Sequence, residues 1–133
     1  MANGERPQAQ VVAQGLHGRI EFAVRDNGAK EAEDFLRSPG CRPYVTGLAT
    51  RFQAIVDNGD IDGVRPKFLR DGIHEIIKGQ ARIFCFKDGD SWRLTNGALK
   101  RGNKAQDRDI DRAVTITRED RARREPKPKK KRP

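Results

Sequence analysis

Three short apolar segments joined by tight turns constrain the fold of this chain more than any other feature. They span residues 73–78, 81–86 and 91–98, and they are separated by Gly79-Gln80 and by a loop that contains Asp88-Gly89. Asp-Gly between two strand-like segments favours a β-hairpin, because both residues tolerate the positive φ that such a turn needs. Connections this short join neighbouring antiparallel strands. The sequence therefore predicts an antiparallel meander of three strands.

The residues before the meander predict one further strand and two helices. Alternating apolar residues indicate a strand over 19–24, and apolar residues at helical spacing indicate helices over 29–36 and from Pro43 to about residue 58. The segment 60–72 is interpreted as a connection with little structure of its own. After the meander, a third helix is predicted from about Ala105.

The chain has 133 residues, which fits one domain with a small core. Residues 1–17 are polar and without a sustained period, so they are predicted to form a flexible arm before a domain over 18–120. Residues 121–133 are predicted to be a disordered basic tail. The chain contains no apolar run of about 18 residues, which a membrane span requires, and its first residues do not resemble a secretory signal. A cytoplasmic protein without membrane contact is expected.

Positive charge is concentrated in two segments. The formal net charge is +9, and residues 78–104 hold 7 basic and 2 acidic side chains while residues 121–133 hold 8 and 1. This excess favours a polyanionic partner such as nucleic acid. The tail is expected to bind anions without specificity, or to act as a nuclear localisation signal in a eukaryote. Its candidate nucleic-acid-binding residues are Lys129, Lys130, Lys131 and Arg132.

The basic segment inside the predicted domain could form a shaped site. Its side chains are spread over neighbouring strands, which lie about 5 Å apart and can bring distant residues onto one surface. Phosphate binding and a solvated sheet edge that discourages aggregation explain these cations equally well. They are Lys78, Arg82, Lys87, Arg93, Lys100, Arg101 and Lys104.

A metal is not needed for RNA cleavage, because the 2′-hydroxyl is a built-in nucleophile and cations can stabilise the developing phosphorane charge. His74 is a candidate proton carrier, since imidazole titrates near neutral pH. The alternative is a structural histidine that makes one hydrogen bond. Cys41 and Cys85 are predicted to be free thiols, because a protein of the reducing cytosol is expected. Together with His17 and His74 they show no metal-ligand spacing, so no metal site is predicted, and no cofactor is expected.

A family resemblance is carried by the residues from Gly72 to about Val114. They read Gly-Ile-His-Glu-Ile-Ile, then Ala-Arg-Ile-Phe-Cys-Phe, then Trp-Arg-Leu-Thr-Asn-Gly-Ala-Leu-Lys-Arg-Gly-Asn-Lys, and finally an acidic-apolar helix. This pattern resembles the RelE/ParE superfamily of bacterial toxins, including its HigB-like members. The positions that match the family pattern are Glu75, Arg82, Lys100, Arg101, Ile110 and Ala113.

The resemblance implies an α+β fold with a largely antiparallel sheet of about four strands, packed with two N-terminal helices and a C-terminal helix. It further implies the toxin of a type II toxin-antitoxin module, an endoribonuclease that cleaves mRNA on the ribosome and is neutralised by a cognate antitoxin. Arg82, Lys100 and Arg101 would then stabilise phosphate charge, with His74 as the proton carrier. Lys78, Arg93 and Lys104 would bind nucleic acid.

Two alternatives come from other functional classes. Ile77 stands where the family strand usually has arginine, and the only tyrosine, Tyr44, is far from the C-terminal helix. Both departures favour a ParE-like, non-enzymatic inhibitor of DNA gyrase. The third hypothesis is a basic accessory protein of a phage or mobile element, in which the sheet and tail coat phosphate.

Overall fold

The computed structural model describes residues 11–59 and 61–125. These residues form an α+β domain with a mixed sheet, three α-helices and a short 3₁₀ segment over Pro39–Tyr44. The strands are β1 (Val11–Gly15), β2 (Gly18–Phe22), β3 (Lys67–Arg70), β4 (Ile73–Lys78), β5 (Ala81–Asp88) and β6 (Ser91–Leu99). The helices are α1 (Glu31–Leu36), α2 (Val45–Asn58) and α3 (Asn103–Arg124).

All six strands belong to one sheet in the order β1-β2-β6-β5-β4-β3. The predicted meander is confirmed, because β4, β5 and β6 pair antiparallel with tight turns between them. The pairing of β2 with β6 is parallel. A parallel neighbour needs a long crossover, and here that crossover includes α1, α2 and the strands β3 to β5.

Helices α1 and α2 cover one face of the sheet. In α2 the buried residues Leu48, Phe52, Ile55 and Val56 recur at the spacing of one helical face, as the sequence predicts. The helix ends where Gly59 adopts a φ of 71° and its N–H donates to the Ile55 carbonyl. The apolar residues that pack on this face come from both halves of the chain and form one core.

Helix α3 covers the opposite face of the sheet. Ile110, Ala113 and Ile116 pack against a second apolar cluster that includes Phe84 and Phe86. Since apolar side chains of β5 alternate between the two faces, both faces of this strand are buried. The domain therefore has three layers, with the sheet between α1/α2 and α3.

Ion pairs fasten the C-terminal half of α3 to the sheet. The buried Asp120 carboxylate accepts hydrogen bonds from the Val24 N–H and from the guanidinium groups of Arg93 and Arg124. Arg124 also donates to Asp88 at 2.6 Å. These contacts hold the last two turns of the helix against the residues that follow β2 and against the β5–β6 hairpin.

A second ion-pair network ties the loop after β2 to α3. Arg25 donates to Glu119 at 3.0 Å and to Glu31 at 2.7 Å, and Arg112 also donates to Glu31. The hydrogen bond from Arg25 and that from the Asp26 N–H lower the pKa of Glu119 to about 2. Hydrogen bonds from Arg112 and Arg25 likewise lower the pKa of Glu31, against the opposing effect of burial.

Several sequence-based expectations about the fold were wrong. The sheet has six strands and one parallel pair, where the resemblance implied about four strands. The first extra strand, β1, lies within the expected arm and pairs with β2 through a two-residue turn; residues 1–10 are outside the described residues. The other, β3, lies in the segment interpreted as an unstructured connection. Both are short edge strands whose stability comes from pairing, which local pattern does not reveal.

The helix boundaries also differ from the prediction. The residues after Pro43 begin α2 only at Val45, because Pro39–Tyr44 forms the 3₁₀ segment. Helix α3 runs to Arg124, so the first residues of the expected tail are helical. The contacts of Asp120 and Arg124 explain this extension. Among the described residues, no helix is long and apolar enough to cross a membrane.

Candidate functional site

The structure brings the backbone of the three predicted phosphate-binding residues to one end of the sheet. Arg82 on β5 is in register with Ala98 on β6, and the Lys100 N–H donates to the Gln80 carbonyl at 2.7 Å. Arg101 is the next residue. We call Arg82, Lys100 and Arg101 the basic edge. Because the sequence predicts a hairpin about Asp88-Gly89, it also predicts that Arg82 lies near Lys100 and Arg101 across that hairpin, and the observed register agrees.

The two arginines of the basic edge are engaged within the protein. The Arg82 guanidinium donates to the carbonyls of Gly79 at 2.7 Å and Ala81 at 3.1 Å, and Arg101 donates to Asp109 at 2.5 Å. Lys100 is exposed. A phosphate bound at this edge would therefore compete with internal acceptors for both guanidinium groups.

His74 lies on the other face of the sheet. It is in register with Cys85 on β5, whereas Arg82 alternates with Phe84 and therefore lies on the α3 face. The structure does not bring the predicted proton carrier to the basic edge.

The predicted nucleic-acid-binding residues are dispersed. Arg93 is only 7% exposed and forms ion pairs with Glu21 and Asp120, so its charge is used inside the protein. Lys78 is exposed at the end of β4, on the α2 face, and Lys104 is exposed in the first turn of α3. Residues 129–132 of the tail lie outside the described residues.

A cleft on the α2 face contains cations and aromatic rings from six parts of the chain. Its volume is about 720 Å³, within the range of small-ligand sites. It lies between α2, the segment 62–66 and strands β3 to β6. We call it the aromatic cleft; its lining residues are Arg51, Asp62, Gly63, Arg65, Pro66, Lys67, Phe68, His74, Lys87 and Trp92.

Ring contacts form the floor of the aromatic cleft. The His74 ring is 4.8 Å from the Trp92 ring and 5.2 Å from the Phe68 ring, both edge to face. The Lys87 ammonium lies 5.1 Å from the centre of the Trp92 ring, in cation–π contact. Trp92 is 9% exposed, whereas Phe68 is 59% exposed. The cleft thus has a buried aromatic wall and one aromatic face open to solvent.

Cations surround this floor, and only some of them are paired with described residues. Lys67 and Lys87 are exposed and have no ion pair with any described residue. The Nε atom of Arg51 is buried and lacks a hydrogen-bond partner within the described part of the chain. Asp62 is the only described carboxylate that lines the cleft, and it pairs with Arg65 at 2.7 Å.

Of the residues that line this cleft, the sequence predicts a functional role only for His74 and Lys87. Arg51 lies on the polar side of a predicted helix, and Trp92 lies in a predicted strand. The run Arg65-Pro66-Lys67-Phe68 carried a usable signal, because an aromatic residue among cations in a polar segment is typical of nucleic-acid-binding surfaces.

The two cysteines are buried free thiols, and burial raises the pKa of both Cys85 and Cys41. Neither is suited to act as a thiolate nucleophile. Within the ranges 11–59 and 61–125, no group of three His, Cys, Asp or Glu side chains could hold a metal ion.

No protein-family model matches the sequence, and no curated protein or solved structure matches the chain.

Proposed function

We propose that the protein is a RelE/ParE-type toxin that cleaves RNA without a metal ion. The single observation that supports this most is the arrangement of the inner strands. β2, β6, β5 and β4 form a largely antiparallel four-stranded unit, with α1 and α2 inserted after β2 and α3 following β6. This unit supports the proposal because it combines helices with largely antiparallel strands, although the whole sheet has six strands and its helices are arranged differently from the fold that the resemblance implies.

The basic edge is the proposed phosphate site. Lys100 offers an exposed ammonium, and Arg82 and Arg101 lie beside it at the same end of the sheet. Cations fixed in this way stabilise the charge that develops when a 2′-hydroxyl attacks its own phosphate. His74 has no part in this site, because it lies on the opposite face.

The partners follow from the same proposal. mRNA on the ribosome would be the substrate, and a cognate antitoxin would neutralise the toxin in the cytoplasm. The antitoxin would be encoded beside the toxin, which makes the neighbouring reading frame the first place to look.

A non-enzymatic inhibitor of DNA gyrase is the second candidate function. The observation that favours it is the internal engagement of Arg82 by two carbonyls and of Arg101 by Asp109. A basic edge with these contacts is better suited to docking on a protein than to binding a transition state. The absence of the family arginine at Ile77 points the same way.

Expression of the chain alone and together with its neighbouring reading frame tests the proposal. We expect growth arrest in the first case and rescue in the second. Primer extension on cellular transcripts should then reveal new 5′ ends, whereas inhibited supercoiling by purified gyrase would favour the second function. Normal growth at a verified level of soluble protein would contradict both.

A further inference from the structure

We infer that the aromatic cleft binds a segment of single-stranded RNA, with a base on Phe68 and phosphates on Lys67, Lys87 and Arg51. This site lies on the α2 face and is distinct from the basic edge, which lies on the α3 face and at the end of the hairpin. The choice of RNA over DNA rests on the proposed function. The choice of a single strand rests on the cleft itself.

The exposed ring of Phe68 is the first argument. An aromatic side chain that is 59% exposed on an edge strand gains little from the core. Its edge-to-face contact with His74 holds the ring in place while leaving a face open. Bases stack on such rings with little regard to sequence, and each stacked base contributes about 1–3 kcal/mol.

The distribution of charge is the second argument. Lys67 is the direct chain neighbour of Phe68, and Lys87 lies across the cleft above Trp92. Arg51 presents a buried N–H from α2 that no described residue accepts, and such groups usually have a partner. A phosphate oxygen is an acceptor of the right charge for all three groups.

The shape and chemistry of the cleft argue against other polyanions. A duplex hides its bases and would leave the Phe68 ring unused. An acidic peptide would match the cations but not the row of aromatic rings formed by Phe68, His74 and Trp92. A chain with alternating bases and phosphates satisfies both features within a cleft of about 720 Å³.

The chain provides its own reporter for this site. Trp92 is the only tryptophan and lies in the cleft wall. Titration of the full-length protein with a 12-nucleotide single-stranded RNA should therefore quench tryptophan emission saturably. The matching RNA duplex should leave the emission unchanged at the same phosphate concentration.

Variants at exposed positions test the contacts without disturbing the core. By fluorescence anisotropy with the same labelled RNA, Phe68→Leu should weaken binding about tenfold, because it removes stacking but keeps an apolar side chain. The double variant Lys67→Gln/Lys87→Gln should weaken binding and lower the salt slope by about 1.4, at about 0.7 per phosphate contact. Arg42→Gln, which removes one charge at an exposed position outside the cleft, and Leu16→Ala, which shortens an exposed apolar side chain, are the controls and should bind like the wild type.

Three outcomes would overturn the inference. The first is that both Phe68→Leu and the double variant Lys67→Gln/Lys87→Gln bind the RNA with wild-type affinity. The second is equal affinity for uridine monophosphate and the oligomer, which would indicate a small-molecule site. The third is equal affinity for single-stranded DNA, which would remove the assignment to RNA. A protein that shows the expected quenching but neither arrests growth nor cleaves RNA would contradict the proposed function while supporting the cleft.

Discussion

The basic edge and the aromatic cleft differ in how the chain builds them. The basic edge comes from two segments joined by one hairpin, and two of its three cations donate to acceptors supplied by the protein. The aromatic cleft gathers residues from Arg51 to Trp92, and Lys67, Lys87 and one N–H of Arg51 have no described acceptor. High local charge in the sequence therefore does not by itself identify the cations that are available to a ligand.

Arg93 provides the largest expected effect, and it separates structural cations from binding cations. Arg93→Met would leave the buried Asp120 carboxylate with only Arg124 as its counter-charge and would remove one of the two arginine partners of the half-buried Glu21, at a cost of up to about 3–5 kcal/mol. Urea unfolding followed by circular dichroism measures this loss. Arg37→Met, which breaks an exposed pair with Glu33, should cost at most about 1 kcal/mol. A stable Arg93→Met protein with weakened RNA binding would make Arg93 a binding residue after all.

Substitution at the basic edge tests whether it carries the activity. Arg82→Ala and Lys100→Ala should each slow RNA cleavage by about 10² or more, because each removes charge stabilisation from the transition state. The double variant should lose less than the product of the single effects, since residues that act together are not additive. The readout is the rate of transcript cleavage, with thermal unfolding as the control for folding.

If Arg82→Ala kept full toxicity, the activity would be assigned to the aromatic cleft and not to the basic edge. In that case Phe68→Leu should become the variant that reduces growth arrest.

Removal of residues 126–133 tests the contribution of the tail to either site. This boundary keeps Arg124 and its ion pairs with Asp120 and Asp88. The deleted segment has 5 basic residues, and the salt slope of RNA binding should fall by about 0.7 for every phosphate that the tail neutralises in the intact protein. We expect weaker binding, an unchanged melting temperature and the same ratio between the wild type and Phe68→Leu. A fall of many degrees in melting temperature would instead indicate a packed tail.

The smallest expected effect is a change in stability at acid pH, caused by the ion-pair network that ties the loop after β2 to α3. The pKa of Glu119 is lowered to about 2 from an ordinary value of 4.5 by its hydrogen bonds from Arg25 and the Asp26 N–H. Its contribution to stability is therefore present above pH 4.5 and is lost as the pH falls towards 2. Glu119→Gln should flatten the decrease of the urea midpoint in this window.

Glu33→Gln is the control for the acid experiment, because the Glu33 pair with Arg37 lies on the exposed surface of α1. An unchanged pH dependence in Glu119→Gln would mean that this network does not hold α3 in place.

The local sequence pattern predicted the elements that are marked by turn residues or by a regular spacing of apolar residues. The meander was predictable because Gly79-Gln80 and Asp88-Gly89 mark its turns, and α2 because its apolar residues keep one helical face. Strands β1 and β3 were not predictable, since each is short and is stabilised by pairing with a neighbour. The extension of α3 depends on Asp120 and Arg124, whose partners lie in distant segments.

The sequence by itself determined the α+β class, the hairpin that joins Arg82 to Lys100, and the excess of positive charge. Tertiary structure alone decided which cations remain available, because Arg93 was neutralised by Glu21 and Asp120 while Lys67 and Lys87 were left exposed. It also placed His74 beside Trp92 rather than beside Arg82. The physical reason is that the face of a sheet and the partner of a charge depend on register and on contacts between distant segments, which no local pattern specifies.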